Sequence, residues 1–173
     1  MINNRTEKRW GDIEFQAGNF EKGMQHYQNA LEDATETNEN KADVAYKMAV
    51  YLYGTKKQKS KARTYARKAI SYRSNWALPY VLIGEMYASS GKDCGKGTGF
   101  ESQRTVWVAI DKWRKAISVE LGSEGAKRAQ RFINKYTQYM PSQEQCFMRS
   151  LKKGQGYTVG CWINERTTIR YVK

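Results

Sequence analysis

The stretch that decides the fold spans residues 18–31 and has the sequence GNFEKGMQHYQNAL. A turn glycine, Gly18, is followed five residues later by a second small residue, Gly23. An aromatic residue, Tyr27, comes four positions further on, and Ala30 comes three after that. Spacings of four and three place Gly23, Tyr27 and Ala30 on one face of a helix. Because small residues let two helices approach closely, the stretch predicts the second helix of a tightly packed helix pair.

The same pattern recurs along the chain with a period of 34 residues. Ala77, which opens the third copy, lies 34 residues after Asp43, its equivalent in the second copy. The second helix of the third copy comes 13 residues late, and a fourth first helix is expected at Ser123. The recurring positions are Tyr46, Ala49, Tyr53, Ala62, Ala66, Ala69, Tyr80, Gly84, Tyr87, Gly91, Ala109, Trp113, Ala116, Ala126, Ala129 and Ile133. A fixed period of this length indicates stacked helix pairs.

These residues, together with Trp10 and Gly11, resemble the tetratricopeptide repeat. Trp10–Gly11 matches the apolar residue and glycine of the family's first helix, and Gly18 to Ala30 match its second helix. The resemblance covers about residues 4–140. It implies an all-α fold, a tetratricopeptide-repeat α-solenoid of about three and a half helix pairs.

The resemblance also implies a non-catalytic scaffold, without a cofactor, that binds a protein or peptide partner. Ligands of the family lie in a concave groove lined by the first helix of each repeat. The groove positions carried over to this chain are Asp12, Val44 and Leu78, together with the candidate partner-binding residues Arg5, Lys8, Phe15, Lys47, Tyr51, Val81 and Glu85. We expect the groove to be basic at its N-terminal end and apolar at the other, unless a C-terminal element covers the apolar end.

The carboxylate clamp of chaperone-binding family members is not expected here. Lys8 matches its first lysine, but the other clamp positions hold Asp12, Met48, Leu78 and Leu82. A partner held by an acidic C-terminus in that manner is therefore not predicted.

Two segments lie outside the repeat pattern. Residues 90–102 form a glycine-rich insert in the third repeat, with no register that matches a phosphate-binding P-loop. We expect it to be irregular and to pack on a neighbouring element. In residues 141–173, Ser142 and Gln145 predict a capping box that opens a short helix reaching about Leu151. A β-hairpin rich in β-branched and aromatic residues follows.

The hairpin's apolar pattern predicts its register. A three-residue loop at residues 164–166 would pair Ile163 with Thr167, Cys161 with Ile169, and Val159 with Tyr171. The face expected to turn inward then holds Tyr157, Val159, Cys161, Ile163, Ile169 and Tyr171. Since an isolated hairpin is marginal in water, we expect this face to dock on the helices.

The insert and the tail carry a second resemblance. The insert's Cys94–Gly95, the segment VWVAIDKW at residues 106–113 and the segment VGCWIN at residues 159–164 look like the C-terminal end of a group of exported bacterial tetratricopeptide proteins. This likeness implies a periplasmic or outer-envelope location and no known catalytic activity. A cytoplasmic location is the alternative.

The three cysteines are Cys94, Cys146 and Cys161. A flexible insert and a hairpin that needs an anchor favour a disulfide between Cys94 and Cys161. The bridge would close a long loop, which stabilises a protein in an oxidising compartment. A Cys94–Cys146 bridge and three separate thiols are the alternatives.

The chain is strongly basic, with 30 Lys and Arg against 17 Asp and Glu and a net charge of +13. Such a surface attracts nucleic acids, anionic lipid headgroups or acidic proteins. Binding of nucleic acid or another acidic polymer is therefore the alternative function. Because the charges are spread along the chain, we interpret them in the first place as a solvated surface.

The sequence gives no support to an enzyme. His26 is the single histidine and falls on a predicted outer helix, where a solvated side chain is expected. One histidine and three dispersed cysteines do not make a zinc site, so we expect no metal. No apolar run is long enough to span a membrane.

Overall fold

Helices make up most of the protein, and one small antiparallel sheet follows them near the C-terminus. The computed structural model describes residues 6–96 and 98–171. The chain divides after Asn75 into two units, which we call unit 1 and unit 2. The structure confirms the predicted all-α architecture with a C-terminal hairpin. The solenoid arrangement stays a prediction.

Unit 1 consists of two helix pairs: α1 (Thr6–Gln16) packs on α2 (Phe20–Glu32), and α3 (Asn38–Gly54) packs on α4 (Lys59–Tyr72). The turn between α1 and α2 contains Gly18 at a φ of 81°, a backbone conformation that favours glycine. The small residues that the pattern assigned to helix contacts, among them Gly23, Ala30 and Ala62, are buried.

Neighbouring first helices of unit 1 lie side by side and run in the same direction. Lys8 on α1 pairs with Asp43 on α3 (3.0 Å), and Asp12 pairs with Lys47 (2.8 Å). Both pairs join residues 35 positions apart in the sequence. This offset is within one residue of the period derived from the sequence.

Unit 2 is built around α5 (Ala77–Ala88), which packs on α8 (Thr105–Val119), and α8 in turn packs on α9 (Glu124–Tyr136). The Ser123 hydroxyl accepts a hydrogen bond from Ala126 N (3.0 Å), so α9 begins where the sequence predicted. A short 3-10 helix (Thr137–Tyr139) and α10 (Gln143–Phe147) follow. The predicted Ser142–Gln145 capping box is present, although α10 ends before Leu151.

The glycine-rich insert is more ordered than predicted. It contains two single-turn helices, α6 (Gly91–Cys94) and α7 (Phe100–Gln103). Phe100 is buried, and its ring lies edge-on to Trp107 at a centroid distance of 5.8 Å. An aromatic anchor therefore holds one end of the insert on α8, which explains why the segment is not wholly irregular.

The hairpin register predicted from the sequence is wrong. Strand β1 (Gly156–Val159) pairs with β2 (Glu165–Thr168), and Val159 lies opposite Glu165. The turn spans residues 160–164, and within it Cys161 and Asn164 have φ angles of 63° and 46°. The apolar residues Val159, Ile163 and Ile169 are buried as expected, but Cys161 is exposed.

Contacts outside the hairpin account for the longer turn. Glu165 accepts a hydrogen bond from the Tyr87 hydroxyl and pairs with Lys112 at 2.6 Å, so this polar residue faces the helices. Trp162 packs edge-on against Tyr87, with ring centroids 5.7 Å apart. Alternation of apolar side chains alone could not predict these polar contacts.

The hairpin docks on α8 through Arg170. Its guanidinium donates to Asp111 Oδ1 (2.8 Å) and to the Trp107 carbonyl (2.6 Å). The Trp107 indole returns a hydrogen bond to the Arg170 carbonyl (2.6 Å). The hairpin's contact with the helices is therefore polar as well as apolar.

The predicted pairing of cysteines agrees with the structure. Cys94 and Cys161 lie at disulfide distance, with their Cα atoms 5.4 Å apart. Cys146 is buried and unpaired. The bond joins the insert to the turn of the hairpin across 67 residues of chain.

Candidate functional site

The candidate site is a concave pocket of about 650 Å³ in unit 1. It lies between α1, the start of α2 and the C-terminal half of α3. The lining residues are Asp12, Phe15, Gln16, Phe20, Tyr27, Tyr46, Lys47, Val50, Tyr51, Gly54 and Thr55. Four of the predicted groove positions, Asp12, Phe15, Lys47 and Tyr51, are therefore brought together in one pocket.

An aromatic cluster forms one wall of the pocket. The Phe15 ring stacks on Tyr27 at 5.0 Å and lies edge-on to Tyr51 at 5.2 Å. Phe20 stacks on Tyr51 at 5.2 Å. Phe20 and Val50 keep 40% and 42% of their surface exposed, so the wall offers accessible apolar area to a ligand.

Two glycines make room for these rings. A Cβ on Gly23 would lie 2.3 Å from Phe15 Cδ2, and one on Gly11 would lie 2.3 Å from Tyr27 Cδ1. The missing side chain of Gly23 lets the Phe15 ring lie against α2.

A network of four charged side chains borders the pocket, and two of them, Asp12 and Lys47, line it. Lys47 pairs with Asp12 (2.8 Å) and with Asp43 (3.1 Å). Lys8 pairs with Asp43 (3.0 Å) and more loosely with Asp12 (3.6 Å). The Tyr27 hydroxyl donates to Asp12 Oδ1 (2.5 Å) and links the network to the aromatic cluster.

The contacts shift the pKa values of the network. Burial acts to raise the pKa of Asp12, but hydrogen bonds from Lys47 and Tyr27 and the charges of Lys47 and Lys8 outweigh it, so this pKa lies below its usual value. Burial acts to lower the pKa of Lys47, and the two aspartates more than compensate and raise it. Burial and the bond to Asp12 raise the pKa of Tyr27. These shifts keep both Asp12 and Lys47 ionised at neutral pH.

The network corrects the expected basic character at Lys8 and Lys47. Each lysine is compensated by an aspartate within about 3 Å, so neither presents an unopposed charge to the pocket. Asp43 was missed as a site residue. Its position, four residues before Lys47 on the same helix face, was the available signal.

Phe20, Val50, Gly54 and Thr55 were also missed, because the prediction took groove residues from selected positions of the first helices. Phe20 begins α2, while Gly54 and Thr55 lie at the end of α3. Arg5, the remaining candidate at this end, lies outside the described residues.

The two candidate residues of unit 2 do not line an open groove there. Val81 is 2% exposed, and its carbonyl accepts a hydrogen bond from the Trp113 indole (3.2 Å). Glu85 pairs with Arg128 on α9 (2.5 Å). Burial raises the pKa of Glu85, although the adjacent Arg128 opposes the shift. Val81 is thus a core residue, which its apolar character alone could not distinguish from a groove residue.

No cluster of three His, Cys, Asp or Glu side chains with metal-binding geometry occurs within residues 6–96 and 98–171. His26 is on α2, and its Nδ1 lies 2.8 Å from Oε2 of Glu7 on α1. Among the described helices, none is both long and apolar enough to cross a membrane.

No protein-family model matches the chain, and no curated protein matches its sequence.

Proposed function

We propose that the chain is a tetratricopeptide-type scaffold that binds a peptide or protein segment in the pocket of unit 1. The single observation that carries the proposal is the aromatic wall of Phe15, Phe20 and Tyr51, in which Phe20 is 40% exposed, next to a compensated charge network. Apolar surface flanked by a few fixed polar groups is the usual composition of a ligand site. The side-by-side arrangement of α1 and α3 supports the repeat interpretation.

The chemistry of the pocket favours an apolar or aromatic side chain of the partner. Phe20 and Val50 offer apolar area, and their burial by a ligand side chain contributes about 25 cal/mol per Å². Lys8 and Lys47 attract an acidic terminus of the partner only weakly, because Asp12 and Asp43 already compensate their charges. An anionic ligand would have to displace existing ion pairs.

The disulfide supports the proposed location. A cysteine pair at bonding distance is typical of proteins in oxidising compartments such as the bacterial envelope. We therefore place the scaffold in the cell envelope as part of the same proposal.

Selection of peptides on the whole chain tests the proposal. A displayed library of random nine-residue peptides is panned against the protein, and enriched peptides are measured by fluorescence polarisation. We expect sequences with a central aromatic or branched apolar residue. Enrichment of acidic peptides would contradict the proposed chemistry.

Two exposed positions give a matched pair of variants. Val50 lines the pocket and Ile13 does not, yet each side chain is 42% exposed. Val50→Asp should weaken the selected peptides at least tenfold, and Ile13→Asp should leave the affinity within twofold. Equal losses would remove the pocket as the binding site. Charge reversal at Lys47 is a poorer test, since it would set a carboxylate beside Asp12 and Asp43 and destabilise unit 1.

A further inference from the structure

The outward face of α4 concentrates positive charge. Between Asp43 and Glu85 the sequence contains nine Lys and Arg residues and no Asp or Glu. Within α4 the buried side is made of Ala62, Ala66 and Ala69, so the long polar side chains turn outward. The exposed cations are Lys57, which lies just before α4, and Lys61, Arg67 and Lys68 within it; we call this set the α4 basic face.

Three of the four cations of this face lie on the helix itself. Lys61 and Lys68 are seven residues apart, which corresponds to about 10 Å along a helix axis. Ser60, Thr64 and Ser71 are the other exposed side chains of α4, and all three are short and polar. Packing of the alanines against α3 fixes the orientation of the helix. The cations are therefore presented together and without an apolar residue among them.

Two ion pairs lie next to the face. Lys56 pairs with Glu21 (2.7 Å), and Arg73 lies 3.9 Å from Glu39. Lys68 leans over the ring of Tyr65, with its Nζ 5.4 Å from the centroid.

We propose that the α4 basic face binds anionic phospholipid headgroups at a membrane surface. A face with exposed cations and short hydroxyl side chains adsorbs to headgroups by charge, and it has no apolar side chain to insert between acyl chains. The interaction is separate from the pocket of unit 1. It agrees with the envelope location proposed above, where an anionic bilayer is at hand.

Nucleic acid is the competing polyanion, and the face suits it less well. Binding of single strands relies on aromatic rings on which bases stack. Tyr65, the aromatic residue nearest to the exposed lysines in sequence, is half-buried, and its hydroxyl donates to Gln28 (3.1 Å).

Co-sedimentation of the whole chain with vesicles tests the proposal. Vesicles of phosphatidylcholine with 30 mol% phosphatidylglycerol are compared with pure phosphatidylcholine vesicles at about 0.1 M salt. We expect binding to the anionic vesicles alone, and release at about 0.5 M salt because of screening. Binding to both vesicle types, or binding that resists salt, would overturn the proposal.

The variant Lys57→Gln/Lys61→Gln/Lys68→Gln should lower the partition coefficient roughly 100-fold, since each lysine near the surface contributes several-fold. The charge-matched control is Lys92→Gln/Lys115→Gln/Lys152→Gln, at three exposed positions of unit 2, and it should change binding less than tenfold. Equal losses would show that net charge and not the face governs binding. Circular dichroism checks that the variants fold. If the triple variant unfolds, Lys61→Gln alone is used instead, and it should lower the partition coefficient about fivefold.

A nucleic-acid arm uses a 20-base-pair DNA duplex and a 20-nucleotide RNA at the same salt. Weaker binding of both than of anionic vesicles is expected. Tighter binding that depends on the three lysines of the face would assign the face to nucleic acid and overturn the lipid proposal.

Discussion

The indole of Trp113 occupies the space that a side chain on Gly84 would need. A Cβ at residue 84 would lie 2.3 Å from Trp113 Nε1 and 2.6 Å from its Cδ1. Trp113 is fully buried, and its Nε1 donates to the Val81 carbonyl. The contact sets the distance between α5 and α8, the central helix pair of unit 2.

The variant Gly84→Ala should therefore destabilise unit 2. The new methyl group forces Trp113 away from its position, and overpacking of this kind costs about 1–3 kcal/mol. Gly54→Ala is the matched control, because a Cβ there meets nothing within 4 Å. We expect the control to be neutral or slightly stabilising. Urea unfolding followed by tryptophan fluorescence checks both, and a wild-type midpoint for Gly84→Ala would contradict the packing.

Asp12 gives a prediction with a defined pH dependence. Its pKa is lowered in the folded protein, so its contribution to stability is present above the unfolded pKa of about 4 and is lost as the pH falls through the lower folded value. Asp12→Asn should cost about 1 kcal/mol at pH 7, and the difference from wild type should vanish near pH 2.

Urea unfolding followed by circular dichroism from pH 2 to 7 measures this difference. Glu39→Gln is the control, since Glu39 is 82% exposed and lies 3.9 Å from Arg73. It should change stability little at any pH. A cost for Asp12→Asn that is constant across the pH range would show that the carboxylate charge is not responsible.

The cysteines give a third prediction. Non-reducing peptide mapping should find the peptide of Cys94 joined to that of Cys161. Cys146 should be alkylated only after unfolding, because it is buried and burial raises the pKa of its thiol, with Arg149 opposing the shift. Native protein with three alkylatable thiols would contradict the pairing.

Reduction should also destabilise unit 2. A bridge across 67 residues is worth roughly 4 kcal/mol in the chain-entropy model. A reductant should lower the unfolding midpoint of the wild type and leave the Cys94→Ser/Cys161→Ser variant unchanged. Because this variant keeps Cys146 but has no bridge, it controls for effects of the reductant on Cys146.

Local signals in the sequence predicted the helices well. Gly18, Ser123 and the Ser142–Gln145 box act within a few residues, so their positions could be found without tertiary information. The pocket was predicted in part through the family resemblance, because Phe15, Lys47 and Tyr51 were carried over from its groove positions. Lys47 and Asp12 lie on different helices and 35 positions apart in the sequence. Periodicity does not reveal that these two charges compensate each other.

The hairpin shows most clearly where local patterns fail. A three-residue loop satisfied the alternation of apolar residues, but the register is decided by Glu165, Arg170 and the bond of Cys161, all of which have partners outside the hairpin. The basic character of α4 was present in the sequence as a long segment without acidic residues. It was overlooked because positive charge is frequent elsewhere in the chain.

The last prediction concerns Arg170, whose guanidinium joins the hairpin to α8. Arg170→Gln removes the pair with Asp111 (2.8 Å) and the bond to the Trp107 carbonyl (2.6 Å). Since the Arg170 side chain is 15% exposed, solvent replaces these contacts poorly, and we expect a loss of about 1–3 kcal/mol. Hydrogen exchange should speed up at the amides of Gly154 and Ile169, which bond to Ile169 O and Gln155 O at the end of the hairpin.

Asp111→Asn should lose a similar amount of stability, and the double variant with Arg170→Gln should lose clearly less than the sum of the two single losses. Arg166→Gln changes an exposed arginine of β2, four residues before Arg170, and should stay within about 0.5 kcal/mol of wild type. Additive losses at Arg170 and Asp111 would show that the two residues stabilise the hairpin independently.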